Sequence, residues 1–401
     1  MRKFFAKFKY VKLRDILHIF LFLAALPIAA VYKRRRRDLW LLCDNGNEAA
    51  DNGFVLYEYI CKNHPEQDCV YAVCNSSVDK DKVEKTGKTV AYGTFRHWIL
   101  YLTASVNISS QKSGKPNYAV CNLLEVYGIL KNNRVFLQHG VIFTDIDFLH
   151  YENTKMSMFT TSTFREWEFV SNNYGYPENT VKLLGLPRFD KLHDCTPTDG
   201  QILIIPTWRE WLGTASLTKN IKKDLEYFTS TEYYRRWNEV LTNPRLIDLC
   251  KKYGCKVKFF LHRDAQRFSD CFKTDGEYVT VCKYPLYKAD ELLRSSKLMV
   301  TDYSSVQADF AYMNKPIAYY HFDYEDYSKY QYHKGYFDYL EDGFGPVCTD
   351  ADALIDTIES SAQRGFVNTS PYTERHDAFF TLYDRENCKR NYEAIKESRY
   401  K

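Results

Sequence analysis

Short apolar runs that alternate with helical segments constrain the fold of this chain more than any other feature of its sequence. From residue 39 onward, most of these runs end in polar loop residues, and helical stretches separate several of them. Strands that are apolar without alternation are buried on both faces, which is typical of parallel strands covered by helices. The pattern therefore predicts an α/β protein with parallel sheets.

The predicted strands fall into two successive groups. The first comprises "LWLLCD", "CVYAVC", "KTVAYG", "ASVNISS" and "RVFLQHG", and the second comprises "ILIIPTW", "VKFFLHR", "VTVCKY", "KLMVTD" and "PIAYYHF". The polar stretch "HDCTPTDGQ" lies between them as the candidate domain junction. We predict two doubly wound domains facing each other, an N-terminal one over residues 38–192 and a C-terminal one over residues 200–401, preceded by an N-terminal segment over residues 1–37.

The N-terminal segment combines an apolar run with dense positive charge. The run "ILHIFLFLAALPIAAVY" is followed at once by "KRRRR", and residues 1–37 carry eleven Lys or Arg against one Asp. Because the whole chain has a net charge of +4, the remainder is mildly acidic. A basic arm on an acidic body favours an anionic membrane surface and disfavours a nucleic-acid partner.

Several structures are compatible with this apolar run. A signal peptide would need a small-residue cleavage site before the arginines, and a spanning helix would need a longer run without Pro27. Charges on both flanks disfavour a helix buried in the globular body. We expect a monotopic or shallow anchor that holds the body at the cytoplasmic face of the membrane.

Polar residues that follow the predicted strands are the candidate site residues, because ligands of doubly wound sheets bind beyond the carboxyl ends of the strands. "FLQHG" places His139 in a Gly-containing turn, where it is either structural or a general base. "FFLHRD" places His262 and Arg263 at another strand end. The second pair is either a plain surface pair or suited to neutralise a diphosphate.

The stretch "VTDYSSVQADFAYM" places Asp302, Ser304 and Ser305 between a predicted strand and a predicted helix. Either serine is a natural N-cap. The same helix end would present free N–H groups, and the hydroxyls could donate further hydrogen bonds to phosphoryl oxygens. Capping and phosphate binding need the same geometry, so the two roles are compatible.

Other kinds of chemistry find little support in the sequence. The twelve Cys residues include no CxxC pair and no Cys/His cluster with zinc-ligand spacing. Neither a Walker A sequence nor a GxGxxG after a strand is present. "TDIDF" contains a short DxD pattern, Asp145 to Asp147, which leaves a divalent cation open as an alternative. We predict no metal-ligand set and no firm cofactor.

Five stretches of the chain together resemble a known family. They are "LQHG" (137–140), "GLPRFDKL" (185–192), "IIPTWR" (204–209), "VTDYSSVQADFAYMNKPIAYYHFDYEDY" (300–327) and "GYFDYLEDGFGPV" (335–347). In this order they resemble the CDP-glycerol:poly(glycerophosphate) glycerophosphotransferases, the teichoic-acid primases and polymerases of Gram-positive bacteria. The resemblance implies a GT-B-like architecture with two Rossmann-like domains and a CDP-alditol in the cleft. It also implies transfer of glycerol phosphate or ribitol phosphate to a hydroxyl of a membrane-linked acceptor, with release of CMP.

The resemblance also implies roles for individual residues. His139 matches the family's candidate base, and His262 matches its second functional histidine, near the donor's diphosphate. Ser304 and Ser305 match hydroxyls that contact those phosphates, with Asp302 beside them in the same motif.

Two further residues match the family less closely, and two positions depart from its motifs. Arg209 corresponds to a phosphate contact, and Asp309 to a ribose contact or to helix packing. The family often has a Pro after the second histidine, whereas this chain has Arg263, an added candidate for phosphate binding. It often reads "WHGT", whereas this chain reads "QHGV".

Two other functions remain open at the level of sequence. One is a GT-B glycosyltransferase of cell-envelope polysaccharide synthesis that uses a UDP- or GDP-sugar. The other is a membrane-bound scaffold without catalysis. The sequence does not separate glycerol from ribitol, a primase from a polymerase, or one oligomeric state from another.

Overall fold

The computed structural model describes residues 13–193, 195, 197, 200–212, 220–331 and 335–398. It divides into two compact units. The first unit contains the chain up to Val141, Ile146–Asp190 and the residues from Leu382 onward, and the second contains Ile142–Asp145 and Lys191–Thr381. The residues from Leu382 onward thus join the first unit, whereas the division drawn from sequence grouped them with the second. Residues 1–12 of the predicted N-terminal segment lie outside the described residues.

The first unit is built on seven short strands. They are β1 (Trp40–Cys43), β2 (Cys69–Val73), β3 (Thr89–Ala91), β4 (Val106–Ser109), β5 (Arg134–Phe136), β6 (Met158–Thr161) and β7 (Val181–Leu183). Its helices are α1 (Leu13–Arg35), α2 (Asn52–Asn63), α3 (Lys80–Thr86), α4 (Phe95–Thr103), α5 (Tyr118–Val126), α6 (Tyr151–Thr154), α7 (Phe164–Asn173) and, from the C-terminus, α16 (Asn387–Ser398). The strands pair in parallel in the order β3-β2-β1-β4-β5-β6-β7.

Both faces of this sheet are buried, which explains the unbroken apolar runs of the sequence. Trp40 and Leu42 belong to a core on one face, with residues of α2 and α16. Leu41 and Cys43 belong to the core on the other face, with residues of α1 and α4. Because successive side chains of a strand point to opposite faces, every position of β1 is apolar.

In its described residues, the second unit has six further strands and eight helices. The strands are β8 (Gln201–Ile204), β9 (Lys256–Phe260), β10 (Val279–Cys282), β11 (Leu298–Thr301), β12 (Ile317–Tyr320) and β13 (Val347–Cys348). The helices are α8 (Ile221–Ser230), α9 (Glu232–Leu241), α10 (Pro244–Tyr253), α11 (Ala289–Ser295), α12 (Gln307–Tyr312), α13 (Tyr324–Tyr330), α14 (Ala351–Gln363) and α15 (Tyr372–Phe379). The strands are parallel in the order β10-β9-β8-β11-β12-β13. Two parallel sheets, each doubly wound, confirm the predicted α/β class.

Helix α1 packs one narrow stripe of its surface onto α4. The stripe consists of Asp15, His18, Phe22, Ala25 and Ala29, spaced three or four residues apart as on one side of a helix. The Trp98 indole N–H of α4 donates to His18 Nδ1 at 3.0 Å, and the rings of Phe22 and Trp98 lie 5.6 Å apart.

The rest of the helix surface is apolar and exposed. Its large exposed side chains are Ile16, Leu17, Ile19, Phe20, Leu23, Leu26, Ile28, Val31 and Tyr32. By length and composition alone, Asp15–Arg35 could cross a membrane. Because one side of this helix already contacts protein, only the remaining sides could contact lipid.

The C-terminal helix α16 packs on the first sheet through aromatic and polar contacts. The ring of Tyr392 stacks on His64 at 3.7 Å and lies 5.4 Å from the ring of Trp40. At its first turn, the backbone N–H groups of Asn387 and Cys388 donate to the carboxylate of Asp190. That carboxylate satisfies N–H groups that a helix N-terminus leaves without a partner, and it stabilises the return of the chain.

Candidate active site

The strand order of each sheet reverses at one point, and the loops beyond that point carry the candidate residues. In the first unit the reversal lies between β1 and β4, and β5 is the next strand along. In the second unit it lies between β8 and β11. These are the places where doubly wound sheets bind ligands.

In the first unit, the turn after β5 exposes the imidazole of His139. Gln138, just before it, is buried with a positive φ of 62°. Its side-chain amide donates to the Thr160 carbonyl oxygen at 2.5 Å and to Glu166 at 3.1 Å. These bonds offset a backbone conformation that costs a residue other than glycine about 1–3 kcal/mol. The turn leaves the His139 side chain 69% exposed.

Asp51, from the loop between β1 and α2, contacts His139 directly. Its Oδ2 lies 2.5 Å from His139 Nδ1, and its Oδ1 accepts from the backbone N–H of Asn52 at 2.8 Å and from Arg188 Nη1 at 2.7 Å. Burial alone would raise the pKa of Asp51, but the neighbouring charges of His139 and Arg188 outweigh burial and hold this pKa well below its usual range. The carboxylate is therefore ionised at neutral pH.

Asn52 links three loops of the first unit through hydrogen bonds of its side chain. Its side-chain N–H donates to the Gln138 carbonyl oxygen at 2.8 Å, and its Oδ1 accepts from the backbone N–H of Arg188 at 2.9 Å. Arg188 also donates to the His139 carbonyl oxygen. The His139 turn is thus held by side chains that reach it from two other loops.

A second carboxyl group, that of Asp44, supports the position of Asp51. Its Oδ1 accepts from the Gly53 N–H at 2.9 Å and from the Ser110 hydroxyl at 2.6 Å, while its Oδ2 accepts from the Tyr71 hydroxyl at 2.7 Å. Burial, followed by the negative charge of Asp51, raises the pKa of Asp44 to about 6. Asp44 thus holds the first turn of α2, the helix that Asp51 caps.

Three site residues were not predicted from the sequence, namely Asp51, Asn52 and Arg188. The signal was available, since "DNGNEAADNG" follows the first strand and the strand-end rule applies to it as well. Arg188 lies within "GLPRFDKL", a stretch that carries only the family resemblance.

In the second unit, the loop after β11 rests on a buried ion network. Asp302 Oδ1 accepts from the backbone N–H groups of Thr207 at 2.8 Å and Tyr303 at 2.7 Å. Arg209 Nη1 lies 2.8 Å from Asp302 Oδ2, and its other nitrogens donate to Asp323 at 2.7 and 3.0 Å. The side chains of Arg209 and Asp302 are both 0% exposed.

This burial bears on two of the predicted ligand contacts. Arg209 and Asp302 present no surface to solvent, so in this conformation they join the loops after β8 and β11 to each other. Asp309, on α12, is buried as well. Direct contact of these three side chains with a ligand stays a prediction.

The arrangement of Ser304 and Ser305 differs from the helix cap that the sequence predicts. Helix α12 begins at Gln307, and Val306 occupies its cap position without any side-chain hydrogen bond. Ser304 Oγ accepts only a long bond of 3.4 Å from the Val306 N–H, and Ser305 is exposed. The prediction that either serine caps the helix was therefore wrong. A helix of six residues also has little dipole, so its end alone would bind a phosphate weakly.

His262 and Arg263 lie at the carboxyl end of β9, the strand next to β8. His262 occupies the cap position of a 3₁₀ helix over Arg263–Cys271, and its Nδ1 accepts from the Asp264 N–H at 3.4 Å. Its side chain is 50% exposed, and Arg263 is exposed too. Both side chains lie at the surface of the second unit.

An aromatic stack behind "DYSS" was not anticipated. The ring of Tyr303 stacks on Tyr327 at 3.6 Å and on His321 at 4.3 Å, and His321 Nε2 lies 3.2 Å from the Asp302 carbonyl oxygen. Burial lowers the pKa of His321 to about 4, so this imidazole is neutral at pH 7. The stack holds the backbone of the serine loop in place.

Metal binding finds no ready site in the part of the chain that the structure describes. Within it, no group of three His, Cys, Asp or Glu side chains could hold a metal ion. A divalent cation at the DxD pattern of Asp145 and Asp147 stays an untested alternative.

Comparison with solved structures identifies the fold. The wall teichoic acid polymerase TagF matches with a TM-score of 0.65 at 14% sequence identity, and the alignment covers 97% of this chain and 99% of that one. A putative UDP-N-acetylglucosamine 2-epimerase from Listeria monocytogenes matches with a TM-score of 0.54 at 13% identity, over 90% and 96% of the two chains. Because proteins that differ in activity share this fold, the fold does not decide the reaction.

Sequence comparison is more specific. The minor teichoic acid biosynthesis protein GgaB of Bacillus subtilis (strain 168) is 32% identical over 367 residues, which are 90% of this chain and 40% of GgaB. The chain spans about half or less of the length of the curated relatives it matches. The family model described as CDP-Glycerol:Poly(glycerophosphate) glycerophosphotransferase matches residues 26–397. This chain therefore belongs to the CDP-glycerol:poly(glycerophosphate) glycerophosphotransferase family.

Proposed function

We propose that this chain transfers glycerol phosphate from CDP-glycerol to a hydroxyl of a membrane-linked acceptor in teichoic-acid or capsule-like polymer synthesis, with release of CMP. The observation that carries the proposal is the exposed His139, hydrogen-bonded to Asp51 in a chain that matches the family model almost throughout. One of the similar TagF structures was soaked with CDPG, which supports a CDP-alditol as the donor. CDP-ribitol is the alternative donor.

The first unit would supply the acceptor side of the reaction. The acceptor hydroxyl attacks the β-phosphorus of the donor, and its proton passes to His139. A new bond forms between the acceptor oxygen and phosphorus, while the bond from phosphorus to the bridging oxygen breaks. CMP leaves with that oxygen, and His139 later returns the proton to solvent.

The second unit would bind the donor. Ser304 and Ser305 are suited to donate hydrogen bonds to the phosphates, since neither hydroxyl caps α12. His262 and Arg263 offer exposed donors and positive charge for the leaving CMP. For Arg209, Asp302 and Asp309 we propose a supporting role, because all three are buried.

The membrane surface would supply the acceptor, with α1 as the anchor. Its apolar exposed face and the run Lys33–Arg37 are suited to acyl chains and anionic headgroups, respectively. Because the stripe through Phe22 and Ala25 packs on α4, a helix lying along the membrane is favoured over one that crosses it. Deleting residues 1–37 would uncover the buried face of Trp98, so substitutions on the exposed face are the cleaner test.

The reaction is tested by measuring CMP release from the purified protein with CDP-glycerol, CDP-ribitol or UDP-glucose and a lipid-linked glycerophosphate acceptor. CMP from a CDP-alditol supports the proposal. Turnover of UDP-glucose alone would favour the glycosyltransferase alternative, and no turnover with measurable donor binding would favour a scaffold.

His139→Ala gives the matching test of mechanism. It should lower kcat by about 10²- to 10⁴-fold and leave donor affinity unchanged. His64→Ala is the control, because His64 lies at the other end of α2 from Asp51, about 20 Å along the helix axis. Equal losses in both variants would contradict the assignment of His139.

A further inference from the structure

We propose that Asp51 is a positioning residue that holds the proton of His139 on Nδ1, so that Nε2 is the nitrogen that accepts the acceptor's proton. The inference rests on the proposed function in one respect, namely that His139 is the base. It adds a residue, a tautomer and a direction of proton transfer that the motifs do not contain.

The hydrogen bonds of the Asp51 carboxylate determine the tautomer. An ionised carboxylate accepts hydrogen bonds and cannot donate one, so a neutral His139 at 2.5 Å must carry its proton on Nδ1. Gln111 Nε2 lies 3.3 Å from the same Nδ1 but is a weaker neighbour at that distance. The charges of His139 and Arg188 lower the pKa of Asp51, and the buried carboxyl of Asp44 lies nearby.

The position of Asp51 is itself fixed. It is the N-cap of α2, its own N–H donates to Asp44 Oδ2 at 3.3 Å, and its side chain is only 11% exposed. Its other oxygen is occupied by the N–H of Asn52 and by Arg188. The carboxylate therefore cannot rotate away from His139 without losing these bonds.

The same contacts predict what Asp51→Asn would do. The two donors on Oδ1 select the amide oxygen of the new side chain for that position. The amide NH₂ then faces His139 Nδ1 and donates to it. The imidazole proton moves to Nε2, and the nitrogen facing the acceptor is no longer a base. Asn is as good an N-cap as Asp, so α2 should persist.

The test measures kcat, donor affinity and thermal midpoint for the full chain, together with ¹⁵N chemical shifts of the His139 ring. In Asp51→Asn we expect kcat to fall by about 10²- to 10⁴-fold, with donor affinity unchanged. We expect the ring proton to move from Nδ1 to Nε2. Combining Asp51→Asn with His139→Ala should cost no more than His139→Ala alone.

Controls separate positioning from stability. Asp79→Asn changes another buried carboxylate, which accepts at 3.0 Å from the N–H of Ala49, a residue in the loop that carries Asp51. It should leave kcat within about threefold. Asp51→Ser keeps an N-cap side chain but removes the carboxylate oxygen that accepts the hydrogen bond from His139. This variant replaces Asp51→Asn in the test if Asp51→Asn does not fold.

The results that would overturn the inference differ from those that would overturn the proposed function. A kcat within threefold of wild type in Asp51→Asn, an unchanged tautomer, or losses that add to those of His139→Ala would overturn the inference. If the wild-type protein releases no CMP, the proposed function fails. The ring-nitrogen shifts would still decide whether Asp51 fixes the tautomer.

Discussion

Replacing Arg209 with Met tests whether this residue supports the serine loop or contacts the donor. Met retains much of the length of the side chain but removes the guanidinium that joins Asp302 to Asp323. The matched variant is Arg263→Met, because Arg263 is exposed at a neighbouring strand end. One substitution removes a buried charge and the other removes a surface charge.

The expected loss of stability follows from the two carboxyls left behind. Asp302 keeps the N–H groups of Thr207 and Tyr303, whereas Asp323 loses both guanidinium bonds. Asp323 therefore takes up a proton, and protonating a carboxyl with an ordinary pKa near 4 costs about 4 kcal/mol at pH 7. This agrees with the cost of about 3–5 kcal/mol for breaking one side of a buried ion pair. We expect a loss of about 4 kcal/mol.

The loss should depend on pH with a definite sign. In the wild-type protein, burial raises the pKa of Asp323 and Arg209 opposes this rise. Without Arg209 the pKa rises further, so the folded variant binds more protons than the unfolded chain and its stability falls as pH rises. The loss should shrink to about 1.5 kcal/mol at pH 5 and disappear below about pH 4.

Urea unfolding at pH 5 and pH 7, with calorimetry of CDP-glycerol binding, measures both effects. Arg263→Met should weaken donor binding and leave unfolding unchanged. Arg209→Met should lower the unfolding free energy at pH 7 by the amount given above. If Arg209→Met unfolded like the wild type and lost as much donor affinity as Arg263→Met, the buried-support argument would be refuted.

Three further predictions concern donor binding, the stability of the α2 turn that follows Asp51, and membrane binding. Ser304→Ala with Ser305→Ala should weaken CDP-glycerol binding about 10²-fold by calorimetry, at about 1.5 kcal/mol for each hydrogen bond to a charged phosphate. Gly53→Ala should lower the unfolding free energy by about 1–3 kcal/mol, because a Cβ there would clash with Asp44 Oδ1. Leu23→Glu should lower affinity for anionic vesicles about 30-fold in sedimentation, since about 2 kcal/mol of leucine burial is lost.

Each of these has a result that would count against it. Equal donor affinity in the double serine variant would remove the serines from the donor site. An unfolding midpoint unchanged in Gly53→Ala would mean that the Asp44 contact is not tight. Leu340→Glu, at a leucine 72% exposed in the second unit, is the control for the vesicle experiment, and equal losses there and at Leu23 would exclude a specific anchor.

Strands were predictable where burial on both faces made them uniformly apolar. "WLLC" and "LMVT" are fully buried and were recognised. β6, "MFTT", is equally buried but was not recognised as a strand, because two of its four residues are threonines. Their hydroxyls find partners in the interior, Thr160 on Asn391 and Thr161 on the Lys182 carbonyl oxygen, and those partners lie far along the chain or on another strand.

Helix ends were less predictable than strands. "DYSS" satisfied the local signature of an N-cap, yet α12 begins after Val306. Asp302, at the start of the motif, is held by the backbone of Thr207 and by Arg209, which lie more than ninety residues earlier. Tertiary bonds of this kind outweigh the roughly 1 kcal/mol that a cap contributes.

The α/β class was predictable without coordinates, as were the apolar strands, the family and the exposed turn that carries His139. These properties depend on periodicity, composition and short contiguous motifs, which a linear chain displays directly. The tertiary structure alone decided that Asp51 is hydrogen-bonded to His139, 88 residues away, and that Arg209 is buried between two carboxylates. Those pairings depend on which strands lie side by side in each sheet, and the order of parallel strands is set by packing between segments distant in sequence.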